Sequence, residues 1–249
     1  MSGIPHLLYL HGFRSSPRSF KARVVQQRMA AAGRADLLIC PQLPPSPQAA
    51  MALVLTLVER YAAKGPDELA IVGSSLGGFY ATWLAERFGC RAALINPAVD
   101  PLQDLDKHVG ITTEWHTGEP FEFKRDYIAE LAALKVGQIT RPERYFLLAA
   151  TGDEVLDYRD MVAHYAGAHQ HVIEGSDHAI SEFEQYVDEV LAFCLTGKYK
   201  ARPDRTRQGE AGVAAPGPLA GASGRGRRPG RHARLAHDPG LADGAPHRA

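Results

Sequence analysis

The stretch IVGSSLGGFY, residues 71–80, joins the end of an apolar run to a segment with helical spacing. It contains the pattern G-x-S-x-G, in which Gly73 and Gly77 stand two residues before and two residues after Ser75. In this pattern the small residues let the chain turn sharply from a strand into a helix, and the turn exposes the serine hydroxyl. The stretch therefore predicts a nucleophile elbow at Ser75. A glycine turn without chemistry is the alternative that the pattern alone leaves open.

The neighbouring serine does not fit this spacing. Ser74 would need glycines at positions 72 and 76, where Val72 and Leu76 stand. A serine hydroxyl becomes a strong nucleophile only when a base takes its proton, so the prediction requires a histidine and an acid elsewhere in the chain.

The base is predicted at His178 and the acid at Asp153. His178 follows the apolar run HQHVIEG on a Gly-Ser-Asp loop, and Asp153 comes shortly after the run RYFLLAAT. The order serine, acid, histidine along the chain is typical of hydrolases with this elbow. Asp157 competes for the role of the acid, and Glu154 is adjacent. Because Asp157 stands where a helix begins, its expected role is a helix cap.

Two backbone N–H groups are predicted to hold the negative charge that develops on a substrate carbonyl. One belongs to Leu76, directly after the serine, and the other to Phe13, in the loop after the first strand. The pair His11-Gly12 lets that loop turn sharply, and two such donors form an oxyanion hole. A glycine turn without this role is the alternative.

Short apolar runs alternate with segments of helical spacing, which predicts an α/β fold with a mostly parallel sheet of about six strands and helices on both faces. The predicted strands are HLLYLH (6–11), ADLLICP (35–41), ELAIVG (68–73), RAALIN (91–96), RYFLLAAT (144–151) and HQHVIEG (169–175). The predicted helices cover residues 17–32, 47–63, 76–88, 157–167 and 180–195. Ser16-Pro17 and Ser46-Pro47 each offer a capping hydroxyl and a proline suited to the first helical position.

One connection, residues 96–143, is much longer than an ordinary link between a strand and a helix. It predicts a cap-like insertion over about residues 98–140 with one helix at 125–136, and such insertions often cover a pocket. Aromatic residues of the insertion and of the elbow helix are candidates for the pocket lining, although they are at least as often part of a core. These candidates are Phe79, Tyr80, Trp115, Phe121, Phe123 and Tyr127.

The formal net charge of zero conceals two regions of opposite charge. Residues 1–199 contain 18 Lys and Arg against 24 Asp and Glu, whereas residues 200–249 contain 10 against 4. The second region is rich in Arg, Gly, Ala and Pro and has too few apolar residues for a core, which predicts a disordered tail after a hydrolase-like domain.

The net charge of the whole chain bears on its partners. Because this net charge is zero, it argues against nucleic acid or an anionic membrane as the partner.

The cysteines and the start of the chain predict a cytoplasmic location. Cys40, Cys90 and Cys194 lie in apolar contexts, as expected of reduced, buried thiols. The start MSGIPHLLYLHGF lacks the features of a signal peptide. No apolar stretch approaches the ~20 residues of a membrane helix. The cysteines and histidines show no metal-ligand spacing, so neither a metal nor another cofactor is expected.

Six stretches within residues 6–195 resemble the small bacterial esterases of the YqiA/YcfP type, which belong to the α/β-hydrolase superfamily. The stretches are YLHGFRSSPRSFKA, PQLPPSP, IVGSSLGGFYATWLAERFG, INPAVDP, TGDEVLDYRDMVAHYA and VIEGSDHAISEFE. The resemblance implies an α/β-hydrolase fold with Ser75, Asp153 and His178 as catalytic triad. It also implies hydrolysis of carboxylic esters or acyl thioesters. It does not extend to residues 200–249.

We therefore expect a serine esterase that acts on a small-molecule ester or acyl thioester through an acyl-enzyme intermediate. A fold does not fix function, so an α/β-hydrolase fold that binds a ligand or partner without turnover is the alternative. A secreted lipase or a peptidase is less consistent with the short cap and the absence of a signal peptide.

Overall fold

The computed structural model describes residues 4–114 and 117–199. Its strands are β1 (His6–Leu10), β2 (Leu38–Ile39), β3 (Leu69–Ser74), β4 (Arg91–Ile95), β5 (Gly110–Thr113), β6 (Pro120–Phe123), β7 (Tyr145–Ala150) and β8 (His169–Ile173). Six of them form one parallel sheet in the order β2-β1-β3-β4-β7-β8, and β5 and β6 form a separate antiparallel hairpin. The predicted parallel sheet of six strands is confirmed.

Helices cover both faces of the sheet. They are α1 (Phe20–Ala31), α2 (Pro47–Ala62), α3 (Leu76–Phe88), α4 (Pro101–Asp106), α5 (Asp126–Ala132), α6 (Tyr158–His164) and α7 (Val187–Thr196). Successive side chains of a strand point to opposite faces. Ile71 of β3 therefore lies in the core formed with α2 and α3, whereas Val72 lies in the core formed with α1 and α7. Burial on both faces explains why the central strands are continuous apolar runs.

The two serine-proline pairs behave differently. Ser46 caps α2 as predicted, because its hydroxyl accepts the Ala49 N–H at 3.1 Å and Pro47 is the first helical residue. At the other pair the prediction was wrong. Helix α1 begins at Phe20 rather than at residue 17, because Ser19 is its cap. Ser16 instead accepts the Arg18 N–H in the turn before the helix.

Several predicted elements are shorter than the sequence suggested. The helix predicted over residues 157–167 spans only Tyr158–His164, and two further elements differ more. In residues 35–41 a 3-10 turn precedes the two-residue strand β2, which pairs with β1 at the edge of the sheet. The predicted last helix begins at Val187 instead of residue 180. Ile180 has a φ of 48°, which is incompatible with a right-handed helix, and a 3-10 turn at Phe183–Gln185 follows it.

The long insertion contains more structure than the single predicted helix. Between β4 and β7 the chain forms α4, the hairpin β5–β6 and α5, and α5 ends at Ala132 rather than near residue 136. Each strand of the hairpin has four residues, and the two pair with each other. Strands this short carry a weak sequence pattern, which is why the hairpin was not predicted.

The carboxyl ends of the parallel strands meet at one edge of the sheet. Phe13 follows β1, Ser75 follows β3, Asn96 follows β4, Asp153 follows β7 and His178 follows β8. This edge is where open α/β sheets bind ligands. The topology therefore gathers at one edge residues that lie far apart in sequence.

The cysteines are free thiols. Cys90 and Cys194 are buried as predicted, whereas Cys40 is half-buried. Within the described residues, no helix is long and apolar enough to span a membrane. Residues 200–249, the predicted tail, lie outside the described residues, as does Trp115, one of the predicted lining residues.

Candidate active site

The elbow between β3 and α3 holds Ser75 in a rare backbone conformation. Ser75 has φ 54° and ψ −122°, and its N–H donates to the Ile95 carbonyl at 3.0 Å. A Cβ atom on Gly73 would collide with the Gly77 backbone, and one on Gly77 would collide with the Leu10 backbone. Both glycines are required because the backbones approach so closely, and the strain at Ser75 is typical of functional sites.

Ser75, not Ser74, faces a histidine. The His178 Nε2 atom lies 3.1 Å from the Ser75 hydroxyl oxygen. Ser74 is the last residue of β3 and is buried. The structure thus brings together the serine and the histidine that the sequence singled out.

Asp153 completes a continuous hydrogen-bonded arrangement. The His178 Nδ1 atom lies 2.8 Å from one carboxylate oxygen of Asp153 and 3.0 Å from the other. The N–H groups of Val155 and Leu156 donate to the Asp153 carboxylate at 2.9 Å each. The Asp153 side chain is fully buried, whereas that of His178 is 21% exposed. The carboxylate is therefore fixed by its own loop and sets the orientation of the imidazole ring.

The competing acids have other contacts. Asp157 caps α6 by accepting the Arg159 N–H at 2.8 Å, which is the role expected for it. Glu154 accepts the backbone N–H of His178 at 2.9 Å. Asp153 is thus the acid that contacts the His178 ring, and Glu154 contacts the backbone of the same residue.

The two predicted oxyanion donors belong to segments that adjoin Ser75. Leu76 is the first residue of α3, and a Cβ atom on Gly12 would lie only 3.1 Å from the Ser75 Cβ. The loop with Phe13 is anchored by His11, whose Nε2 accepts the Leu43 N–H at 3.0 Å. Because Nε2 accepts, Nδ1 carries the proton and donates to the Gly12 carbonyl at 3.0 Å.

A cleft of about 470 Å³ opens next to the elbow. Gly12 and Leu76, which adjoin Ser75, are among its lining residues, whereas Ser75 and His178 are not. The volume of the cleft lies in the range typical of small-molecule sites. Residues of the Phe13 loop, the loop after β2, the start of α3 and the hairpin line it. They are His11, Gly12, Phe13, Arg14, Ser15, Arg18, Gln42, Leu43, Pro44, Pro45, Leu76, Tyr80, Glu114, Thr117, Glu119, Pro120 and Phe121.

The predicted aromatic lining is partly right. Tyr80 and Phe121 line the cleft. Phe79 and Phe123 are buried in the core, and Tyr127 packs against that core half-buried. Burial of the hydroxyl group raises the pKa of Tyr80, so this wall of the cleft stays uncharged at neutral pH.

The hairpin is tied to the Phe13 loop by side chains. Arg14, with φ 57°, donates from Nε to the Thr113 carbonyl at 2.6 Å and from Nη2 to the Thr113 hydroxyl at 3.0 Å. The Phe13 ring centre lies 5.0 Å from that of Phe123 and 6.1 Å from that of Phe121. One predicted oxyanion donor therefore sits in a loop that the insertion supports.

Two residues that were not singled out from the sequence fix the His178 loop. Asn96 is fully buried with φ 40°, and its side-chain amide donates to the carbonyls of Asp177 and His178 at 3.1 Å each. Lys21 Nζ donates to the same His178 carbonyl at 3.1 Å. The position of Asn96 directly after an apolar strand could have indicated its role from the sequence, whereas Lys21 lies on a helix without such a local signal.

Within the described residues, no group of three or more His, Cys, Asp or Glu could hold a metal ion.

Comparison with models of protein families identifies the family of this chain. The model of the uncharacterised protein family UPF0227, the YqiA/YcfP family, matches residues 6–195. The chain belongs to this family. The UPF0227 match includes the elbow, the Asp153 loop and the His178 loop.

Solved structures share the fold of this UPF0227 chain at low sequence identity. A protein from Agrobacterium vitis S4 is 19% identical, with a TM-score of 0.59 over 76% of this chain and 88% of that one. Alpha/beta hydrolase domain-containing protein 10 from mouse is 18% identical, with a TM-score of 0.57 over 77% and 91%. Est1E from Butyrivibrio proteoclasticus is 16% identical, with a TM-score of 0.52 over 79% and 89%. The fold is the α/β-hydrolase fold.

Proposed function

We propose that this UPF0227 protein is a serine esterase that hydrolyses carboxylic esters or acyl thioesters. The observation that carries the proposal is the continuous chain of contacts from the Ser75 hydroxyl through His178 to the buried Asp153 carboxylate. A serine, a histidine and an acid in this arrangement activate the serine hydroxyl for acyl transfer.

The reaction begins with attack on the substrate carbonyl. Ser75 Oγ bonds to the carbonyl carbon while His178 Nε2 takes the hydroxyl proton, and Asp153 stabilises the imidazolium that forms. His178 then returns the proton to the leaving alcohol or thiol, which leaves an acyl-enzyme. A water molecule then attacks this ester while His178 takes its proton, and His178 passes that proton to Ser75 Oγ as the acid leaves.

The oxyanion of each tetrahedral intermediate would accept hydrogen bonds from the Phe13 and Leu76 N–H groups. Preorganised donors act on charge that appears only in the transition state, and one such donor is worth about 2.7–4 kcal/mol of barrier. The close approach of Gly12 to Ser75 supports this assignment, because Gly12 directly precedes Phe13 in the same loop.

The cleft supports a small-molecule substrate. Its wall at Leu43, Tyr80 and Phe121 is apolar and suits a short acyl or alkyl group, whereas the exposed Arg18 and Glu119 make its mouth polar. A volume of about 470 Å³ is small for a long lipid chain. We therefore propose esters of modest size as the substrate class.

Labelling with a fluorophosphonate probe, followed by peptide mass mapping, tests the proposal. The probe reacts with a serine only when a base activates it. We expect a label on Ser75 in the wild type, no label after Ser75→Ala or His178→Ala, and an unchanged label after Ser74→Ala. Hydrolysis of p-nitrophenyl butyrate should follow the same pattern.

A matched pair of acid variants tests the role of Asp153. Asp153→Asn should lower kcat by about 10⁴-fold, because an amide cannot hold the histidine in the required tautomer. Asp157→Asn should keep wild-type kcat, since asparagine is also a good helix cap. A folded wild type without label or turnover would contradict the esterase proposal and favour a fold that binds a ligand without catalysis.

A further inference from the structure

Lys21 reaches the His178 loop from another part of the fold. It is the second residue of α1, is partly buried, and donates from Nζ to the His178 carbonyl at 3.1 Å. Ser19 is the N-cap of this helix. It fixes where the helix begins and therefore the position of the Lys21 backbone. A lysine side chain loses much rotamer entropy when it is held in one conformation. A favourable interaction with the carbonyl must therefore offset this loss.

The His178 carbonyl is held from two sides. Asn96 Nδ2 donates to it at 3.1 Å, and Asn96 Oδ1 accepts the Ala150 N–H of β7 at 2.9 Å. Asn96 therefore connects the histidine loop to the sheet, and Lys21 connects it to α1. The position of the His178 backbone determines where its imidazole ring can lie. This matters because a misplacement of about 1 Å can lower the rate at a catalytic site about 100-fold.

The charges around Lys21 favour its ammonium form. Asp153 and Glu154 face it from the loop after β7, and Asp177 and His178 face it from the loop after β8. Burial lowers the pKa of Lys21 to about 8, and the three carboxylates limit this decrease. Lys21 therefore remains mostly charged at neutral pH, and its hydrogen bond to the carbonyl is charge-assisted.

We infer that Lys21 is a positioning residue for His178, in which the ammonium group fixes the His178 carbonyl and thereby the imidazole between Ser75 and Asp153. This inference rests on the proposed esterase function. Lys21 contacts the backbone of the proposed base and does not line the cleft, so we expect its effect on the chemical step and not on substrate binding.

Three variants test the inference. Lys21→Met removes the charge and the donor, Lys21→Arg restores both, and Arg23→Met removes an exposed cation of the same helix as a matched control. The fluorophosphonate probe counts the active sites in a sample of each variant. The kcat for p-nitrophenyl butyrate, measured on unlabelled protein, is then expressed per active site, and KM is measured in the same assay. Loss of one charge-assisted hydrogen bond should lower kcat of Lys21→Met about tenfold with KM unchanged. Lys21→Arg and Arg23→Met should stay close to the wild type.

A second measurement does not depend on turnover. The proton on His178 Nδ1, which faces the Asp153 carboxylate, should give a separate downfield resonance. A ring that is held less firmly should exchange this proton faster with water. We expect faster exchange in Lys21→Met and wild-type exchange in Lys21→Arg and Arg23→Met. Should Lys21→Met fail to fold, Lys21→Gln replaces it as a neutral side chain that keeps a donor, with the decrease in kcat expected to be smaller.

The outcomes separate this inference from the esterase proposal. A wild type that is labelled and active, with Lys21→Met equal to it in kcat and in proton exchange, overturns the role of Lys21 and leaves the esterase intact. An equal loss in Lys21→Met and Lys21→Arg also overturns it, because the charge and the donor would then be irrelevant. An unlabelled wild type contradicts the esterase, while the exchange rates still decide whether Lys21 positions His178.

Discussion

The elbow and the inserted hairpin hold the two sides of the candidate site in different ways. At the elbow, Gly73 and Gly77 bring backbone against backbone, and all six residues of β3 are buried. The hairpin has Ile111 77% exposed and is joined to the Phe13 loop through side-chain hydrogen bonds from Arg14. Close-packed backbone has little freedom to move, whereas exposed side-chain bonds open easily. The Ser75 side of the site is therefore rigid, and the Phe13 side depends on the insertion.

The largest expected effect is at the elbow. Gly77→Ala should destabilise the fold by about 3 kcal/mol or more, because the added methyl group collides with the Leu10 backbone in a fully packed region. Chemical unfolding followed by circular dichroism measures this loss. Gly137→Ala, in the insertion, is the control, since a Cβ at Gly137 meets nothing within 4 Å. Its stability should stay within about 0.5 kcal/mol of the wild type. Equal stability of Gly77→Ala and Gly137→Ala would contradict the difference in packing between the elbow and the insertion.

An intermediate effect is expected where the hairpin meets the Phe13 loop. Arg14→Met should lower kcat about tenfold with a small change in stability, because the loop that carries the Phe13 N–H loses its bonds to Thr113. Thr113→Val, which removes only the hydroxyl bond, should lower kcat less. Arg125→Met removes a contact to Asp106 at 3.1 Å within the insertion, away from the cleft, and should keep wild-type kcat. Wild-type kcat in Arg14→Met would show that the insertion does not support the oxyanion donor.

The smallest effect is a pH dependence at the base of the insertion. Glu86 of α3 accepts hydrogen bonds from Thr140 and from the Tyr145 hydroxyl, so it ties the end of the insertion to the elbow helix. Burial of the carboxylate raises the pKa of Glu86, but these hydrogen bonds outweigh burial and hold the pKa below its usual value of 4.5.

The sign of the pH effect follows from proton binding. Below pH 4.5 the unfolded chain binds a proton at Glu86 more readily than the folded chain does, so acid favours unfolding. The stabilisation is complete above pH 4.5 and is lost as the pH falls through the lower folded-state pKa. The free energy of unfolding should therefore fall more in the wild type than in Glu86→Gln when denaturant titrations are compared at pH 7 and at about pH 3–4. Parallel curves would show that this contact does not stabilise the attachment of the insertion.

Local patterns in the sequence determined the elements on which the candidate site is built. The spacing around Ser75, the buried runs of the central strands and the caps at Ser46 and Asp157 were all predicted and are all found in the structure. Each depends on residues a few positions apart, where spacing alone restricts the backbone. The family followed from the motifs, and the mostly parallel sheet of about six strands followed from the alternation of apolar runs with helical segments. Both are confirmed.

Only the tertiary structure decided how distant groups meet. The contact between Lys21 and His178 joins positions 157 residues apart, that between Arg14 and Thr113 joins positions 99 apart, and that between Asn96 and His178 joins positions 82 apart. Their partners depend on the order of the strands and on where each loop crosses the edge of the sheet, which no local spacing encodes. The residues of the Ser75 site were readable in the sequence because chemistry restricts their types, whereas their supports required the assembled sheet.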